Sequence, residues 1–381
     1  MNGLEIPLSI PDASLPMSLA AGTLVGALLA SLRVRVATCL FASTVLSLLL
    51  LTRVTDNWKL STLISGLETT VFLVDRAILE METLWIAALL AGAEVIRRVL
   101  RAAVPGQGSS VPGILMGYLV RPLSLAAEAP AGTLPEEAAR HRWLGSALAP
   151  VAPSLPWVAS TSIITGLAPS LILGQLWPLP VAVLCGGLVL LRNCQGGGGL
   201  NKAALRLLIP ALAMLAPALF LDTQPYILCL VALAFVMGFL PMRKKAGALW
   251  IPRPDVTAML VMACALSSLS AYGDLAASGS RLALPRIVME SVMSLGGIWV
   301  LGAWSLLLGL VGGSFAYAWF ALLPFAHALP DSTGLLVASA CAFTGSRLSP
   351  VGLLRDSATP SLAIRLALPA IVTLIIIWYL S

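Results

Sequence analysis

Residues 344–357 read TGSRLSPVGLLRDS, and this stretch decides which kind of fold the chain can form. It lies between two apolar stretches, GLLVASACAF at 334–343 and LAIRLALPAIVTLIIIWYL at 362–380, both typical of lipid-embedded helices. Two arginines, an aspartate, a proline and two glycines stand between them. The sequence leaves two interpretations open: an ordinary polar loop outside a membrane, or polar backbone held inside the protein at membrane depth.

The composition of the chain predicts an integral membrane protein. Of its 381 residues, 59% are hydrophobic and 10% are charged, and the mean hydropathy is +0.95. In soluble domains about 45–50% of residues are apolar and about 25% are charged. The net charge of +6 does not indicate nucleic acid, because the basic residues cluster between apolar stretches, as in loops that face anionic lipid. We therefore expect the lipid bilayer as a partner and a multi-pass location in the cell (inner) membrane.

Apolar runs of membrane-spanning length recur along the chain and predict an all-α polytopic fold. A span needs about 20 residues, within a range of about 17–25. The candidate runs are 16–32, 36–52, 83–96 with its flanks, 203–221, 225–241, 256–272, 298–312, 314–329 and 361–380, with 156–191 long enough for two passes broken at Gly174–Pro180. Together with shorter pieces at 113–127, 286–297 and 334–346, they predict about nine to eleven spans.

A glycine run near the middle of the chain predicts a division into two halves. Gly196–Gly199 lies in the stretch RNCQGGGGLNK at 192–202, which lacks the spacing of a phosphate-binding loop and is typical of a linker. The predicted domains are an N-terminal membrane half at 1–191, the linker at 192–202, and a C-terminal membrane half at 203–381.

Each half contains a short apolar element that proline and glycine interrupt. The first is PGILMGYLVRPLSLAAEAPAG at 112–132, and the second is TGSRLSPVGLLRDS at 344–357. In both, an arginine precedes a serine by two or three residues, with a proline beside the pair. Such corresponding broken segments favour a transporter whose binding site is formed by two inverted repeats.

These broken segments supply the candidate binding groups for a small organic anion. The ends of broken helices carry partial charge, and arginine offers a two-pronged donor that suits a carboxylate. The candidate substrate-binding residues are Arg121, Ser124, Gly345, Arg347, Ser349 and Gly352. The alternative is that the arginines lie at the membrane interface with their heads in water, and that Arg355–Asp356 marks an outside loop.

A second group of residues is a candidate for binding a coupling ion, Na⁺ or H⁺. Ser160, Thr161 and Thr165 lie in one hydroxyl-rich segment, although such hydroxyls more often bond carbonyls of their own helix. Glu290 is a proton carrier if it is buried, and an ion-pair partner of Arg286 if it is not. No ATPase, metalloprotease or serine-hydrolase motif occurs, so we expect no enzyme, no metal site and no other cofactor.

Three stretches of the chain resemble a known family. They are LPEEAARHRWLGSALAPVAPSLPWVASTSIITGLAP at 134–169, GLVGGSFAYAWFALLPFAHALP at 309–330, and ACAFTGSRLSPVGLLRDS at 340–357. They look like segments of the domain-of-unknown-function 401 family of prokaryotic membrane proteins, in the ion transporter superfamily of gluconate, citrate and dicarboxylate carriers. The resemblance implies two inverted repeats with re-entrant hairpins, and an elevator-like motion.

The resemblance also implies where the hairpin tips lie, and the chain departs from the family near both. The tips map to Leu119–Ser124 and Gly345–Gly352, with substrate and coupling ion nearby. Arg121 is inserted where relatives have a proline- and glycine-rich apolar stretch. Val351–Gly352 stands where relatives have a histidine-containing turn after the serine–proline pair.

The sequence therefore predicts a secondary transporter of a small organic anion, a carboxylate, that is coupled to Na⁺ or H⁺ and can pair with a second copy as a homodimer. One alternative is a non-transporting membrane subunit, or a structural or assembly membrane protein. A third hypothesis is a channel or a lipid-modifying enzyme. Burial separates the first two, because a transporter must hide both broken tips whereas a subunit need not.

Overall fold

The structure is a computed structural model that describes part of the chain. The described residues are 14–55, 158, 161–162, 167–179, 181, 216–239, 298–327, 333–356 and the single positions 364, 367, 368, 371 and 375. The helices we discuss are α1 (Ser14–Ser31), α2 (Val36–Thr55), α3 (Pro169–Leu176), α4 (Thr223–Phe239), α5 (Ile298–Gly312), α6 (Phe315–His327), α7 (Thr333–Leu348) and α8 (Pro350–Asp356). All regular structure in these ranges is α-helical, so the all-α prediction is confirmed there.

Six of the predicted apolar runs coincide with helices. Runs 16–32, 36–52, 225–241, 298–312, 314–329 and 334–346 correspond to α1, α2, α4, α5, α6 and α7. Within the described ranges, none of the helices combines the length and the apolar character that crossing a membrane requires. The number of spans and the inverted repeat stay predictions, and the linker at 192–202 lies outside the described residues.

Helices α1 and α2 form an antiparallel hairpin with a tight turn. The Arg33 N–H donates to the carbonyl of Ala30 at 3.1 Å and the Val34 N–H to that of Leu29 at 3.2 Å, the pattern of a Schellman cap. Arg33 holds a φ of 65° at the position that usually carries glycine. The cap satisfies carbonyls at the end of α1 and returns the chain directly along it.

Small residues let the hairpin pack closely on itself and on α6. A Cβ atom on Gly22 would overlap Ser47 of α2, and one on Gly26 would overlap the phenol of Tyr317. The Tyr317 hydroxyl donates to the carbonyl of Thr23 at 2.6 Å, and the Trp304 indole donates to the Thr23 hydroxyl at 3.1 Å. The hairpin is therefore fixed to α5 and α6 by buried hydrogen bonds as well as by shape.

Helix α7 is the centre of the described structure. Every residue from Gly334 to Arg347 is buried, and α7 packs against α5, α6 and α3. The Ser305 hydroxyl of α5 donates to the Ala338 carbonyl at 2.7 Å, and a Cβ on Gly345 would overlap the Leu306 carbonyl oxygen. Contact of backbone with backbone thus positions the last turn of α7, where the candidate site lies.

Candidate functional site

Residues 344–356 form the end of one helix, a break and a second, short helix. Helix α7 ends at Leu348, α8 begins at Pro350, and Ser349 alone separates them. Pro350 has no N–H to donate to a carbonyl four residues earlier, and it disfavours helical backbone in the residue before it. Ser349 caps α8: its hydroxyl accepts the Gly352 N–H at 3.3 Å and its carbonyl accepts the Leu353 N–H at 2.9 Å.

A second capped turn lies against this break. Gly313, with a φ of 60°, ends α5, and the Ser314 hydroxyl accepts the Tyr317 N–H at 3.3 Å to begin α6. A Cβ on Gly313 would lie 2.9 Å from the Gly352 nitrogen and 3.2 Å from Ser349 Oγ. Two serine-capped breaks therefore meet. The sequence already separated the runs 298–312 and 314–329, but it gave no indication that Ser314 caps α6 or that this turn lies against Ser349.

Arg347 is buried at this break. It is 6% exposed and lies in the last turn of α7, where the partial negative charge of the helix end favours a cation. Its guanidinium carbon is 5.6 Å from the centroid of the Phe343 ring, a cation–π contact between residues one turn apart. Burial of a charge is costly unless it is compensated, so this position is not that of an arginine in an exposed loop.

Three aromatic side chains, which we call the aromatic row, run from Arg347 to Thr161. Phe343 meets Phe315 edge to face, with centroids 6.4 Å apart and planes at 72°. Phe315 stacks on Trp319 at 6.4 Å and 5°. The indole nitrogen of Trp319 donates to the hydroxyl of Thr161 at 3.4 Å. Candidate residues from the two predicted halves are thereby connected through buried side chains.

The hydroxyls around Thr161 take part in contacts within the protein. The Ser162 hydroxyl donates to the Leu167 carbonyl at 2.6 Å, and its oxygen lies 2.5 Å from that of Thr223. The Thr161 oxygen accepts the Trp319 indole N–H, and a hydroxyl oxygen has only two acceptor positions. A Na⁺ ion at Thr161 would therefore have to share this oxygen with the indole.

Two further hydroxyls of α7 are buried. Within the described part of the chain, the oxygens of Thr344 and Ser339 have no hydrogen-bond partner. Thr344 is one helical turn before Arg347, so both side chains lie on neighbouring parts of the same helix face. Thr344 was part of the quoted stretch, but its residue type alone gave no reason to separate it from other helix threonines.

The predicted site residues have three outcomes. Gly345, Arg347, Ser349 and Gly352 come together at the α7–α8 break, and Thr161 lies at the far end of the aromatic row. The candidates outside the described residues are Arg121, Ser124, Ser160, Thr165 and Glu290. The exposed-loop interpretation is wrong for Thr344–Arg347 and Ser349, which are buried. Arg355–Asp356 lies within α8 rather than in a loop.

The two glycines of the site have a packing role. Gly345 lets α7 approach the backbone of α5, and a Cβ on Gly352 would lie 2.7 Å from the Ser346 carbonyl oxygen. Ser346 O is the carbonyl four residues before Pro350, to which a non-proline residue would donate. Both glycines shape the break by bringing backbones together, whether or not an anion contacts them.

Comparisons with known proteins give no further guidance. No protein-family model matches the chain, and no curated protein matches it. The resemblance drawn from residues 134–169, 309–330 and 340–357 therefore stays a prediction.

Proposed function

We propose that the protein is an integral membrane secondary transporter of a small organic anion, a carboxylate, coupled to Na⁺ or H⁺. The observation that carries the proposal is the buried break between α7 and α8, with Arg347 and Ser349 inside the protein. An interrupted helix and a buried guanidinium each carry a free-energy cost in a protein interior, which contacts around them must offset. Such a combination is typical of a place where polar groups are kept for a ligand.

The distribution of side chains supports a lipid environment. Large apolar side chains are exposed on several helices, among them Leu28, Leu171, Phe220 and Leu228. Hydroxyl side chains are buried between helices, among them Ser43, Ser47, Ser305 and Ser339. Contacts through small and hydroxyl residues are typical of helices that pack in membranes, where lipid already satisfies the apolar surface. We therefore propose the cell (inner) membrane as the location.

The chemistry of the break supports an anionic substrate. A guanidinium binds a carboxylate through two parallel N–H···O bonds, and it keeps its charge at any physiological pH. The Thr344 hydroxyl, one turn away, is a further neutral donor. A carboxylate of a few carbon atoms suits one arginine and a few hydroxyls, whereas a phosphate ester would favour several cations.

Coupling to an ion gradient is proposed from the remaining candidates. The hydroxyl segment with Ser160, Thr161 and Thr165 would suit Na⁺, and Glu290 would suit H⁺. Arg121 and Ser124 would complete the anion site from the first half of the chain, in an inverted repeat with re-entrant tips. A homodimer is part of the same proposal.

The decisive experiment compares one substitution at two arginines. Purified protein in proteoliposomes is tested for uptake of a panel of labelled carboxylates, with the parental chain, Arg347→Lys and Arg33→Lys. Both variants keep the charge, but lysine loses the planar fork, so Arg347→Lys should lower uptake about tenfold or more while Arg33→Lys, at an exposed turn, leaves it unchanged.

A second readout in the same protein is protection from thiol labelling. In a cysteine-depleted chain, Val351→Cys places a thiol in the first turn of α8, and Ala303→Cys places one on the exposed surface of α5. A transported carboxylate should slow labelling at 351 and not at 303. If no compound is taken up and none protects position 351, the transporter is refuted in favour of the non-transporting membrane subunit.

A further inference from the structure

We infer that the aromatic row couples Thr161 to Arg347, so that the state of the Thr161 hydroxyl sets the position of the guanidinium at the α7–α8 break. As a device that links ion binding to anion binding, the inference rests on the proposed function. The coupling itself rests only on the contacts between Thr161, Trp319, Phe315, Phe343 and Arg347.

The first link fixes the arginine. The guanidinium of Arg347 lies over the face of Phe343, which is attractive because the ring face is electron-rich. Both residues are buried, so little water screens the attraction. If the Phe343 ring tilts or shifts, the cation–π attraction at the present position is lost, and the guanidinium moves to a different position. Phe343 is therefore a positioning residue that acts through Arg347.

The second link runs along α6. Phe315 and Trp319 stack as neighbours one turn apart on this helix, and Phe315 is its first residue. The Gly313–Ser314 turn that precedes α6 touches Gly352 and Ser349 directly. A shift of α6 therefore reaches the break along two routes, through the Phe343 ring and through the turn. Close-packed side chains transmit such shifts because they have little free volume.

The third link, between Trp319 and Thr161, is a hydrogen bond weak enough to be broken. At 3.4 Å, the contact of the Trp319 indole with the Thr161 hydroxyl is longer than the usual 2.7–3.2 Å for N–H···O bonds. A cation on the Thr161 oxygen repels the positive end of the indole N–H. Cation binding and indole donation therefore compete, and the competition displaces Trp319 and with it the row.

The experiment uses thiol labelling at position 351 and needs no transported anion. The purified, cysteine-depleted chain carrying Val351→Cys is combined with Thr161→Val, Thr161→Ser, Trp319→Phe or Phe315→Leu, and labelling rates are compared at constant ionic strength. We expect Thr161→Val to change the rate by about threefold or more, within the interaction energies found between contacting residues. Thr161→Ser, which keeps the oxygen, should restore the parental rate.

Two controls keep the result specific. Thr44→Val removes another buried hydroxyl, which donates to the Leu40 carbonyl of its own helix at 2.9 Å, and should leave the rate unchanged. In the Phe315→Leu background, Thr161→Val should have no further effect, because the row is already interrupted. Trp319→Phe removes the donor but keeps a ring, so it should reproduce Thr161→Val and carries the test if that variant does not fold.

The inference is overturned if Thr161→Val behaves as Thr44→Val does, or if the effects of Thr161→Val and Phe315→Leu simply multiply. Neither outcome depends on substrate. If the labelling rates show coupling but no carboxylate is transported, the proposed transporter is refuted and the inference stands. If a carboxylate is taken up but the labelling rates show no coupling, the inference is refuted and the proposed transporter stands.

Discussion

At the scale of single residues, the space around each glycine determines whether a larger residue could replace it. A Cβ on Gly345 would overlap the Leu306 carbonyl oxygen, and it would also lie 3.0 Å from the Leu310 nitrogen. Both neighbours are backbone atoms of α5 and cannot rotate away. Gly174 in α3 is different, since nothing lies within 4 Å of the position of its Cβ. Glycine is therefore required for close packing in α7, whereas in α3 the packing does not require it.

The expected results of alanine substitution therefore have opposite signs. Gly345→Ala should lower the free energy of unfolding by about 1–3 kcal/mol, as overpacking in a tight interior does. Gly174→Ala should raise it by about 0.5–1 kcal/mol, because alanine is the better helix former and meets no obstacle. Unfolding of the purified protein in detergent, followed by circular dichroism, measures both. Equal effects at the two positions would contradict the close contact of α5 with α7.

At the scale of elements, two kinds of turn determine how the helices follow one another. The α1–α2 hairpin has a Schellman cap with arginine in the left-handed conformation. The breaks before α6 and α8 each have a serine whose hydroxyl accepts the backbone N–H of the third residue of the new helix. These turns replace long loops, and they keep consecutive helices in contact.

The hairpin turn gives a test of backbone strain alone. Arg33→Gly and Arg33→Ala remove the same guanidinium, but alanine keeps the Cβ that makes a φ of 65° costly and glycine does not. Arg33→Gly should be the more stable of the two by about 1 kcal/mol. Thermal unfolding of the pair decides it. If alanine is equally stable, the left-handed conformation at this turn is wrong.

The two serine caps give a test that separates stability from binding. Ser314→Ala and Ser349→Ala should each cost about 1 kcal/mol of unfolding free energy, because each leaves a helix N–H without its acceptor. Only Ser349 is a proposed anion-binding residue, so only Ser349→Ala should also weaken the protection of Val351→Cys by carboxylates. Loss of protection in both variants would mean that the cap acts through the shape of the break and not through contact.

At the scale of the whole molecule, the described helices bury hydroxyl groups beside their apolar core and expose large apolar side chains. Hydroxyls lie between α1 and α2 and along α7, while Met17, Leu32, Phe220 and Trp177 face outward. In water this surface would favour aggregation. A surrounding of lipid removes that cost, which is why the membrane is the environment we propose.

Tryptophan quenching tests this environment directly. The chain has 10 tryptophans, and single-tryptophan variants are made that retain either Trp177, 59% exposed, or Trp319, 0% exposed. Lipids with brominated acyl chains should quench Trp177 strongly and Trp319 weakly, since quenching needs contact with the acyl chain. Absence of quenching at Trp177 in proteoliposomes would contradict a lipid-facing position for this part of the chain.

Composition and local pattern were sufficient to predict the helices and the break. Six apolar runs became helices close to the predicted boundaries, since the length and the hydrophobicity of a run are local properties. The proline and the glycines of residues 344–357 were sufficient to predict an interrupted element in that stretch, because the missing N–H of a proline acts within one turn. The structure places the interruption after Leu348. Whether that interruption was exposed remained open, as residues far away in sequence determine burial.

The sequence by itself determined that the described ranges are all-α, and that proline and glycine interrupt the element within residues 344–357. Only the tertiary structure decided that Arg347 is buried, that the Gly313–Ser314 turn faces Ser349, and that an aromatic row connects Arg347 to Thr161. Hydrophobicity and capping depend on neighbours within a turn of helix. A series of contacts that connects residues 161 and 347, 186 positions apart in the chain, depends on how α6 and α7 pack, and no local pattern encodes that.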